Sequence, residues 1–375
     1  MSIRQHNLGS IVKPGFNPLG AQTTSFLYNL FSWGSNGEGQ LGLGNTTSYS
    51  SPKQIGTLTT WSKIAGGQRY TVSIKTDGTL WSWGQNFYGQ LGLGNTTYYS
   101  SPKQVGALTA WSATAAGSNH TIATKTDGTL WVWGNGNAGA LGLGNTTSYS
   151  SPKQLGALTT WLKVAGGQYF TVATKTDGTL WSWGQNNQGQ LGVGNTTNYS
   201  SPKQVGALTA WLTITTGYAH TIATKTDGTL WVWGRNNVGQ LGLGNITNYS
   251  SPKQLGALTT WLSTAAGRFH TIATKTDGAL WSWGQNTAGQ LGLGNITNYS
   301  SPKQVGALTT WLYIAAGGYH TLSIKTDGTL WSWGKNNVGQ LGLGNTTYYS
   351  SPKQVGAQTT WTTITGGLLF TIAIG

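Results

Sequence analysis

The strongest constraint on this chain is an internal repeat of fixed length. Residues 26–375 divide into seven units of 50, and residues 1–25 stand outside that register. A strict period of this kind is typical of solenoids, propellers and other arrays in which each unit packs on its neighbours. We therefore predict one repeat domain over residues 26–375, preceded by an extension or tether over residues 1–25.

Each unit predicts a set of four short strands and no helix. In the second unit, residues 71–76 and 79–83 flank an Asp-Gly pair at 77–78, which is the pattern of a β-hairpin with a tight turn. A Pro-Lys pair at 102–103 indicates an outer strand, because proline and lysine both oppose pairing with other molecules. Residues 111–117 predict one more strand before the next hairpin begins.

The two ends of the array predict a closed ring. The last unit stops at 370–375, before its Asp-Gly turn, and the first starts at 27–34, without the strand that precedes that turn elsewhere. Each end holds the half that the other lacks, so pairing of the N- and C-terminal strands would complete the seventh blade. A solenoid would need distinct capping repeats instead. The predicted fold class is all-β, a seven-bladed β-propeller of four-stranded blades.

Two recurring motifs carry a resemblance to a known family. The string WGxNxxGQLGLGN recurs with few changes in every unit, and GxxHT places a histidine at one register of four units, at His120, His220, His270 and His320. The chain resembles the repeat of the regulator of chromosome condensation family, which implies a seven-bladed propeller with units of about this length. The founding member is a nucleotide-exchange factor that uses a wedge inserted in one blade. All units here keep the 50-residue register, which does not favour exchange activity.

The composition argues against catalysis and against a metal site. The chain has no cysteine and 7 acidic residues, six of which are the aspartates of the Asp-Gly turns. Cysteine nucleophiles, zinc–cysteine sites and paired carboxylates are therefore excluded. The register of the four histidines holds Tyr70, Phe170 and Phe370 in other units, which favours a structural hydrogen bond over metal ligation. We expect a non-enzymatic protein without a cofactor.

The tryptophans are predicted to be packing residues. They occupy three positions of the unit, represented by Trp81, Trp83 and Trp111, and large rings at these positions would fill the wedge between blades. A light-sensing cluster, as in the plant ultraviolet-B photoreceptor of the resembling family, is the alternative. That protein needs a charged dimer interface, for which this chain has too few acidic residues.

The excess of basic residues predicts a positively charged rim. The formal net charge is +14, and the lysines of the KTDG strings each have an aspartate two residues away. The lysines without such a neighbour belong to the repeated SPK string: Lys53, Lys103, Lys153, Lys203, Lys253, Lys303 and Lys353. They favour an anionic partner such as nucleic acid, although lysine without a reading motif is weak support. Solubility and edge protection are the alternative interpretation.

The candidate binding residues are those that vary between otherwise near-identical units. One variable segment precedes the strand that leads into the Asp-Gly turn, and the other follows the WG pair. Both are predicted to lie in connections, and their aromatic, Asn and Arg content is typical of binding surfaces; drift of unconstrained loops is the alternative. The candidates are Arg69, Tyr70, Phe87, Tyr88, Asn119, Tyr169, Tyr218, Arg235, Arg268, Phe269 and Tyr319.

These patterns predict a recognition module rather than an enzyme. A rigid propeller would present the variable loops to a protein or a glycan, in a virion or at a cell surface, with residues 1–25 attaching it to an assembly partner. The alternative is a nucleic-acid- or chromatin-associated propeller that uses the lysine rim. Neither a membrane-spanning run nor a recognisable signal peptide is present in the sequence, so we expect a virion or a bacterial cytoplasm or surface location without membrane insertion.

Overall fold

The computed structural model describes residues 28–57 and 60–375, and this part of the chain is an all-β ring. The predicted extension at 1–25 lies outside the described residues. Within the described residues, no helix is long and apolar enough to cross a membrane. The strands are β1 (Leu30–Gly34), β2 (Tyr49–Gln54), β3 (Trp61–Gly66), β4 (Tyr70–Lys75), β5 (Leu80–Gly84), β6 (Tyr99–Gln104), β7 (Trp111–Ala116), β8 (His120–Lys125), β9 (Leu130–Gly134), β10 (Tyr149–Gln154), β11 (Trp161–Gly166), β12 (Phe170–Lys175), β13 (Leu180–Gly184), β14 (Tyr199–Gln204), β15 (Trp211–Thr216), β16 (His220–Lys225), β17 (Leu230–Gly234), β18 (Tyr249–Gln254), β19 (Trp261–Ala266), β20 (His270–Lys275), β21 (Leu280–Gly284), β22 (Tyr299–Gln304), β23 (Trp311–Ala316), β24 (His320–Lys325), β25 (Leu330–Gly334), β26 (Tyr349–Gln354), β27 (Thr363–Gly366) and β28 (Phe370–Ile374), with one short 3₁₀ helix at Asn137–Gly139.

The strands form seven four-stranded antiparallel sheets, as the repeat predicts. In the second blade the order is β3-β4-β5-β6, with β3 innermost and β6 at the rim, and the third to seventh blades repeat this order. The Asp-Gly turn joins β4 to β5, and Gly78 has a φ of +77°. A Cβ on Gly78 would lie 1.9 Å from the Thr109 carbonyl oxygen, so both the conformation and the space at this turn require glycine.

The first blade closes the ring with strands from both ends of the described chain. Its order is β2-β1-β28-β27, and β1 pairs with β28 from Leu30↔Ile374 to Gly34↔Phe370. This confirms the closure predicted from the complementary half-units. The pairing completes the first blade as a four-stranded sheet, so the described ring contains no half-blade.

Tryptophans hold neighbouring blades together. The indole of Trp83 is fully buried, and its Nε1 donates to the carbonyl oxygen of Gln40 in the preceding blade at 2.9 Å. Trp61 packs edge-on against Trp81 and Trp83, with ring centroids 6.1 and 5.9 Å apart. The same contacts recur around the ring, so the predicted packing role is confirmed, and such pairs add about 0.5–1.5 kcal/mol beyond the area that they bury.

A recurrent amide network fixes the long connection between the third and fourth strands of most blades. The Asn86 Oδ1 accepts from Leu91 N at 2.9 Å, while its Nδ2 donates to the carbonyl oxygens of Asn95 and Thr97 at 2.9 and 3.0 Å. Farther along, Gly94 N donates to Ser150 O of the next blade at 2.8 Å. The connection is therefore fastened both to itself and to its neighbour.

Candidate functional site: the loop face of the propeller

The two variable segments of each blade lie on the same side of the ring. Because the strands are antiparallel, the turn between the first and second strands and the connection after the third strand emerge on one face, opposite the Asp-Gly turns. A backbone hydrogen bond from Gln85 N to Arg69 O, 2.9 Å long, joins them directly. We call this side, formed by residues 67–69, 85–88 and their equivalents, the loop face.

On the loop face, Arg268 lies among three aromatic rings. Its guanidinium carbon is 4.4 Å from the ring centroid of Tyr218 and 5.3 Å from that of Phe269. The ring of Tyr319 is 5.7 Å away. The rings also contact one another, with centroid distances of 5.6 Å from Tyr218 to Phe269 and 6.5 Å from Phe269 to Tyr319. These contacts bring together side chains from three successive blades.

Two further cations complete this group. The Arg235 guanidinium lies 5.0 Å from the Phe269 ring centroid, and its Nε donates to Asn237 Oδ1 at 2.9 Å. Lys335 Nζ lies 5.1 Å from the ring centroid of Tyr319. All these cations and rings are half-buried. We define the cationic aromatic cluster as Tyr218, Arg235, Arg268, Phe269, Tyr319 and Lys335.

Other predicted aromatics extend along the same face. Phe87 is 64% exposed and packs edge-on against Tyr88 at a centroid distance of 4.8 Å. Burial raises the pKa of Tyr169, and the neighbouring Tyr88 and Tyr218 raise it further. Tyr169 therefore lies within electrostatic reach of both the Phe87–Tyr88 pair and the cationic aromatic cluster.

Arg69 is an exposed loop-face cation whose charge is already balanced. Its Nη1 lies 3.2 Å from Glu38 Oε1, and this is the one ion pair among the described residues. Because the Arg69 side chain is 50% exposed, the pair contributes little to stability. It does reduce the positive charge on this part of the loop face.

Two predicted binding residues are buried: Tyr70, which is a core residue and whose assignment is corrected, and Asn119, which lies at a loop-face position but is largely covered. Tyr70 is fully buried, and its hydroxyl donates to the carbonyl oxygen of His120 in the next blade. Burial raises the pKa of the Tyr70 phenol far above its ordinary value. Asn119 is 8% exposed. Tyr70 opens strand β4, whereas the exposed variable residues precede that strand, and this single step in register turns its side chain inward.

The four histidines are buried hydrogen-bond donors between blades. His120 Nε2 lies 3.0 Å from Thr171 Oγ1, and Thr171 Oγ1 itself donates to Ala140 O at 2.9 Å. The imidazole must therefore carry its proton on Nε2. Burial lowers the pKa of His120 to about 4. This confirms the predicted structural hydrogen bond, which recurs at His220, His270 and His320.

The lysine rim lies on a different surface from the loop face. Each lysine is exposed on the outer strand of its blade, around the circumference of the ring. Each Nζ lies 5.2–5.4 Å from the ring centroid of the tyrosine four residues earlier. The structure therefore separates the two candidate surfaces. The rim residues are Lys53, Lys103, Lys153, Lys203, Lys253, Lys303 and Lys353.

A central cavity opens beside the cationic aromatic cluster. The inner strands enclose about 320 Å³, and the walls are mainly glycine and alanine. Tyr218 and Arg268 line this cavity together with Leu368. Backbone hydrogen bonds link neighbouring turns around it, including Leu368 N to Gln68 O at 3.3 Å and Gln68 N to Ser118 O at 3.2 Å.

One member of the cluster was not among the residues predicted from the sequence. Lys335 follows the Trp333-Gly334 pair directly, as Arg235 follows Trp233-Gly234. This shared offset is the signal that identifies it. Its proximity to Tyr319, however, depends on the meeting of two loops of the blade, since Lys335 N also donates to Tyr319 O at 2.9 Å.

Solved structures share this fold at low sequence identity. Prp20p from Saccharomyces cerevisiae superposes with a TM-score of 0.82 at 22% identity, over 93% of this chain and 91% of that one. Human WBSCR16 gives a TM-score of 0.83 at 21% identity, over 93% and 98% of the two chains. Yeast RCC1 (Prp20) in complex with Kap60 gives 0.83 at 21% identity, over 100% and 96%. No curated protein matches this chain in sequence.

A family model matches all seven repeat units of the sequence. The regulator of chromosome condensation repeat is found at residues 29–74, 77–124, 127–174, 177–224, 227–274, 277–324 and 327–374. A second model of the same repeat matches six segments between residues 61 and 340. These matches cover nearly all of the described ring, and each spans the two outer strands of one blade and the two inner strands of the next. The chain therefore belongs to the regulator of chromosome condensation (RCC1) repeat family.

Proposed function

We propose that this chain is a non-enzymatic recognition module that binds a protein through its loop face. The observation that carries the proposal is the convergence of repeat-specific aromatic and cationic side chains on one surface. Two segments that are separate in each unit meet there, and the cluster joins three blades. Binding surfaces are enriched in Tyr, Trp, Phe and Arg in this way.

The fold supports this role because its ring supplies a stable frame. Strand pairing closes the first blade, and buried indoles fasten each blade to the one before it. Side chains held on such a frame lose little freedom when a partner binds. Among the solved relatives, Prp20p is described with binding properties to Gsp1p and histones. The yeast protein has also been crystallised with Kap60 bound.

We place this binding, as the more specific form of the proposal, in attachment at a virion or cell surface. Residues 1–25 would then join the ring to its assembly partner. A glycan is the alternative ligand for the same loops, because Tyr and Asn side chains suit sugar hydroxyls and rings as well as peptide groups.

Quantitative partner capture tests the use of the loop face. Protein captured by the immobilised chain is compared with that captured by a Tyr169→Ser, Phe269→Ser, Tyr319→Ser variant. We expect the specific partner to be lost while the thermal unfolding temperature changes little, because these side chains are half-buried on the surface. A rim variant with Lys153→Gln and Lys253→Gln is the matched control. Equal capture by the loop-face variant, or loss only in the rim variant, would refute the proposal.

The second candidate function is nucleic-acid binding through the lysine rim. Its support is the ring of exposed lysines, none of which forms an ion pair among the described residues. If several rim lysines contact phosphates, the logarithm of the binding constant for duplex DNA falls with the logarithm of salt, with a slope of about −0.9 per contact. A slope near zero, or one that the rim variant leaves unchanged, would exclude this function.

A further inference from the structure

We propose that the cationic aromatic cluster binds the carboxylates of an acidic, extended segment of a partner protein. This inference rests on the proposed function, because it names the chemistry of the segment that the loop face would recognise. It assigns the anchoring role to Arg235, Arg268 and Lys335, and a supporting role to the three aromatic rings.

The cluster is a departure from the repeat and is not required by the fold. The repeat position of Arg268 holds Gln68, Ser118, Gln168, Tyr218, Gly318 and Leu368 in the other blades. The position of Arg235 and Lys335 holds Ser35, Gln85, Asn135, Gln185 and Gln285. All seven blades nevertheless have the same sheet order. Five or six neutral residues at each position show that the blade folds without a cation there.

The charge of the cluster is not neutralised within the described ring. The one ion pair among the described residues joins Arg69 to Glu38, neither of which belongs to the cluster. The aspartates lie in the Asp-Gly turns on the opposite face. Three cations held around the same rings repel one another, and this repulsion is relieved when an anionic group binds.

The guanidinium of Arg268 is held in place but keeps free hydrogen-bonding capacity. Its backbone N donates to Gly318 O at 3.0 Å, and Tyr218 supports one side of the side chain. Its Nε is shielded from solvent without a hydrogen-bond partner among the described residues, so a carboxylate would have to reach the half-buried guanidinium through its Nη groups. A preorganised planar fork of this kind matches a carboxylate and loses little entropy on binding.

The ring geometry favours a peptide over a single-stranded nucleic acid. Nucleic-acid platforms need open ring faces on which bases stack. Here cations lie over the rings of Tyr218, Phe269 and Tyr319 at 4.4, 5.0 and 5.1 Å. The rings are also inclined to one another, by 55° and 62°. The N–H groups of the cations that form no hydrogen bond instead suit carboxylates and peptide carbonyls.

The spacing of the cluster fits alternate residues of an extended strand. Successive rings lie 5.6 and 6.5 Å apart, and side chains on one face of a strand repeat at about 6.6 Å. A segment with acidic residues at every second position can therefore offer one carboxylate to each blade of the cluster.

Fluorescence anisotropy with a defined probe tests the inference. The probe is a labelled peptide of about twelve residues that alternates Glu and Thr, long enough to cross the cluster when extended. We expect the full chain to bind it and Arg268→Gln to weaken binding about tenfold or more, as for loss of a charge-assisted hydrogen bond. Arg268→Lys keeps the charge but loses the fork, so it should fall between the two. Lys253→Gln on the rim removes the same charge and should change affinity by less than about twofold.

Three outcomes would overturn the inference. The first is that the Glu-Thr peptide does not bind. The second is that Arg268→Gln and Lys253→Gln weaken peptide binding equally. The third is that a thymidine oligonucleotide binds and that its affinity depends on Arg268 as strongly as the affinity of the peptide does. If Arg268→Gln fails to fold, Arg235→Gln replaces it, because the Arg235 side chain contacts one ring, Phe269, and one amide, Asn237, and glutamine already stands at this position in other blades. If capture of the partner protein depends on Phe269 and Tyr319 but the acidic peptide does not bind, this inference is refuted and the proposed function is not. Peptide binding without any captured protein would refute the proposed protein recognition instead.

Discussion

At the scale of single residues, the buried histidines show how a titratable group can serve as a neutral packing side chain. Each ring is fully buried and bonded through Nε2 to a threonine of the next blade, while its Nδ1 has no partner among the described residues. Burial lowers the pKa of His120 to about 4 and that of His220, His270 and His320 to about 3. Neighbouring charges from His270 and Arg235 lower the pKa of His220 further. Protonation of these rings therefore opposes folding.

We predict that the ring loses stability as the pH falls from about 6.5 to about 3. In the unfolded chain each imidazole binds a proton below about pH 6.5, whereas the folded chain does not. The free energy of unfolding should therefore fall as the pH decreases, by about 5 kcal/mol per pH unit for four histidines near pH 5. Denaturant unfolding at several pH values measures this slope. His120→Phe copies the residue that the next blade carries at Phe170, and it should reduce the slope by about a quarter. Lys103→Gln is the control and should leave the slope unchanged. If His120→Phe also leaves the slope unchanged, the buried histidines do not cause the pH dependence.

Ala279 stands where the other Asp-Gly turns carry a threonine. In the second blade, Thr79 Oγ1 donates to Asp77 Oδ1 at 2.7 Å and accepts from Trp81 Nε1 at 2.8 Å. In the sixth blade, Trp281 Nε1 is buried with no partner among the described residues. We expect Ala279→Thr to restore both bonds and to raise the free energy of unfolding by about 1–2 kcal/mol.

Thr229→Ala provides the reverse substitution in an intact turn. It should remove both bonds and lower the free energy of unfolding by a similar amount, as measured by denaturant titration. If Thr229→Ala lowers the free energy of unfolding but Ala279→Thr does not raise it, the packing of the sixth blade has adapted to alanine.

At the scale of elements, glycines in the long connections let neighbouring blades approach closely. Gly92 has a φ of +74°, and a Cβ there would lie 2.6 Å from the indole Nε1 of Trp133 in the next blade. Gly106 has a φ of +62°, but a Cβ there would meet nothing within 4 Å. The two positions separate the cost of the backbone conformation from the cost of the contact between blades.

We predict that Gly92→Ala destabilises the ring more than Gly106→Ala does. Both substitutions force alanine into the left-handed region, at about 1–2 kcal/mol. Only Gly92→Ala also displaces a buried tryptophan, which adds about 1–3 kcal/mol for overpacking. Denaturant unfolding of the two variants measures the difference. If both variants are destabilised equally, the Trp133 indole can move away from the added methyl group at position 92 without a measurable loss of stability.

At the scale of the whole molecule, the repeated residues make the seven blades equivalent, whereas the residues that vary make one sector of the ring distinct. The repeated residues form the strands, the Asp-Gly turns and the tryptophan contacts, which give a ring of equivalent blades. The cationic aromatic cluster occupies only the fifth to seventh blades. The ring therefore has one distinct sector on one face, and a partner that reads this sector must bind in a single orientation.

The strand pairing that closes the ring can be tested with a cross-link between β1 and β28. Phe31 and Ala373 are register partners across β1 and β28, and paired strands hold Cα atoms within the range that a disulfide spans. The chain has no native cysteine, so Phe31→Cys with Ala373→Cys would introduce one defined cross-link. We expect the oxidised form to exceed the reduced form in free energy of unfolding by about 4–5 kcal/mol, as for a long closed loop.

The reduced protein is its own control, because it carries the same substitutions. Unfolding in denaturant is compared before and after reduction. If the two forms unfold at the same denaturant concentration, the terminal strands do not limit the opening of the ring.

The sequence by itself determined the repeat, the number of blades, the hairpin turns and the closure. These properties follow from local signals: the Asp-Gly pairs, strand-length apolar segments and complementary end units. The sequence predicted the candidate binding residues only in part, because sequence variation identifies loops but does not show which of their side chains are exposed. Tyr70 and Tyr169 both lie in variable segments, but Tyr70 begins a strand and is buried, while Tyr169 precedes one and is half-buried on the loop face.

Only the tertiary structure decided which variable residues meet. Arg268 reaches Tyr218 and Tyr319 across blade boundaries, although these residues are 50 or more positions apart in the sequence. Lys335 joins them because two connections of its blade emerge on the same face. The lysine rim, equally regular in sequence, lies around the circumference because its strands are outermost. Strand formation depends on neighbours along the chain, whereas a binding surface depends on how the closed ring brings distant loops together.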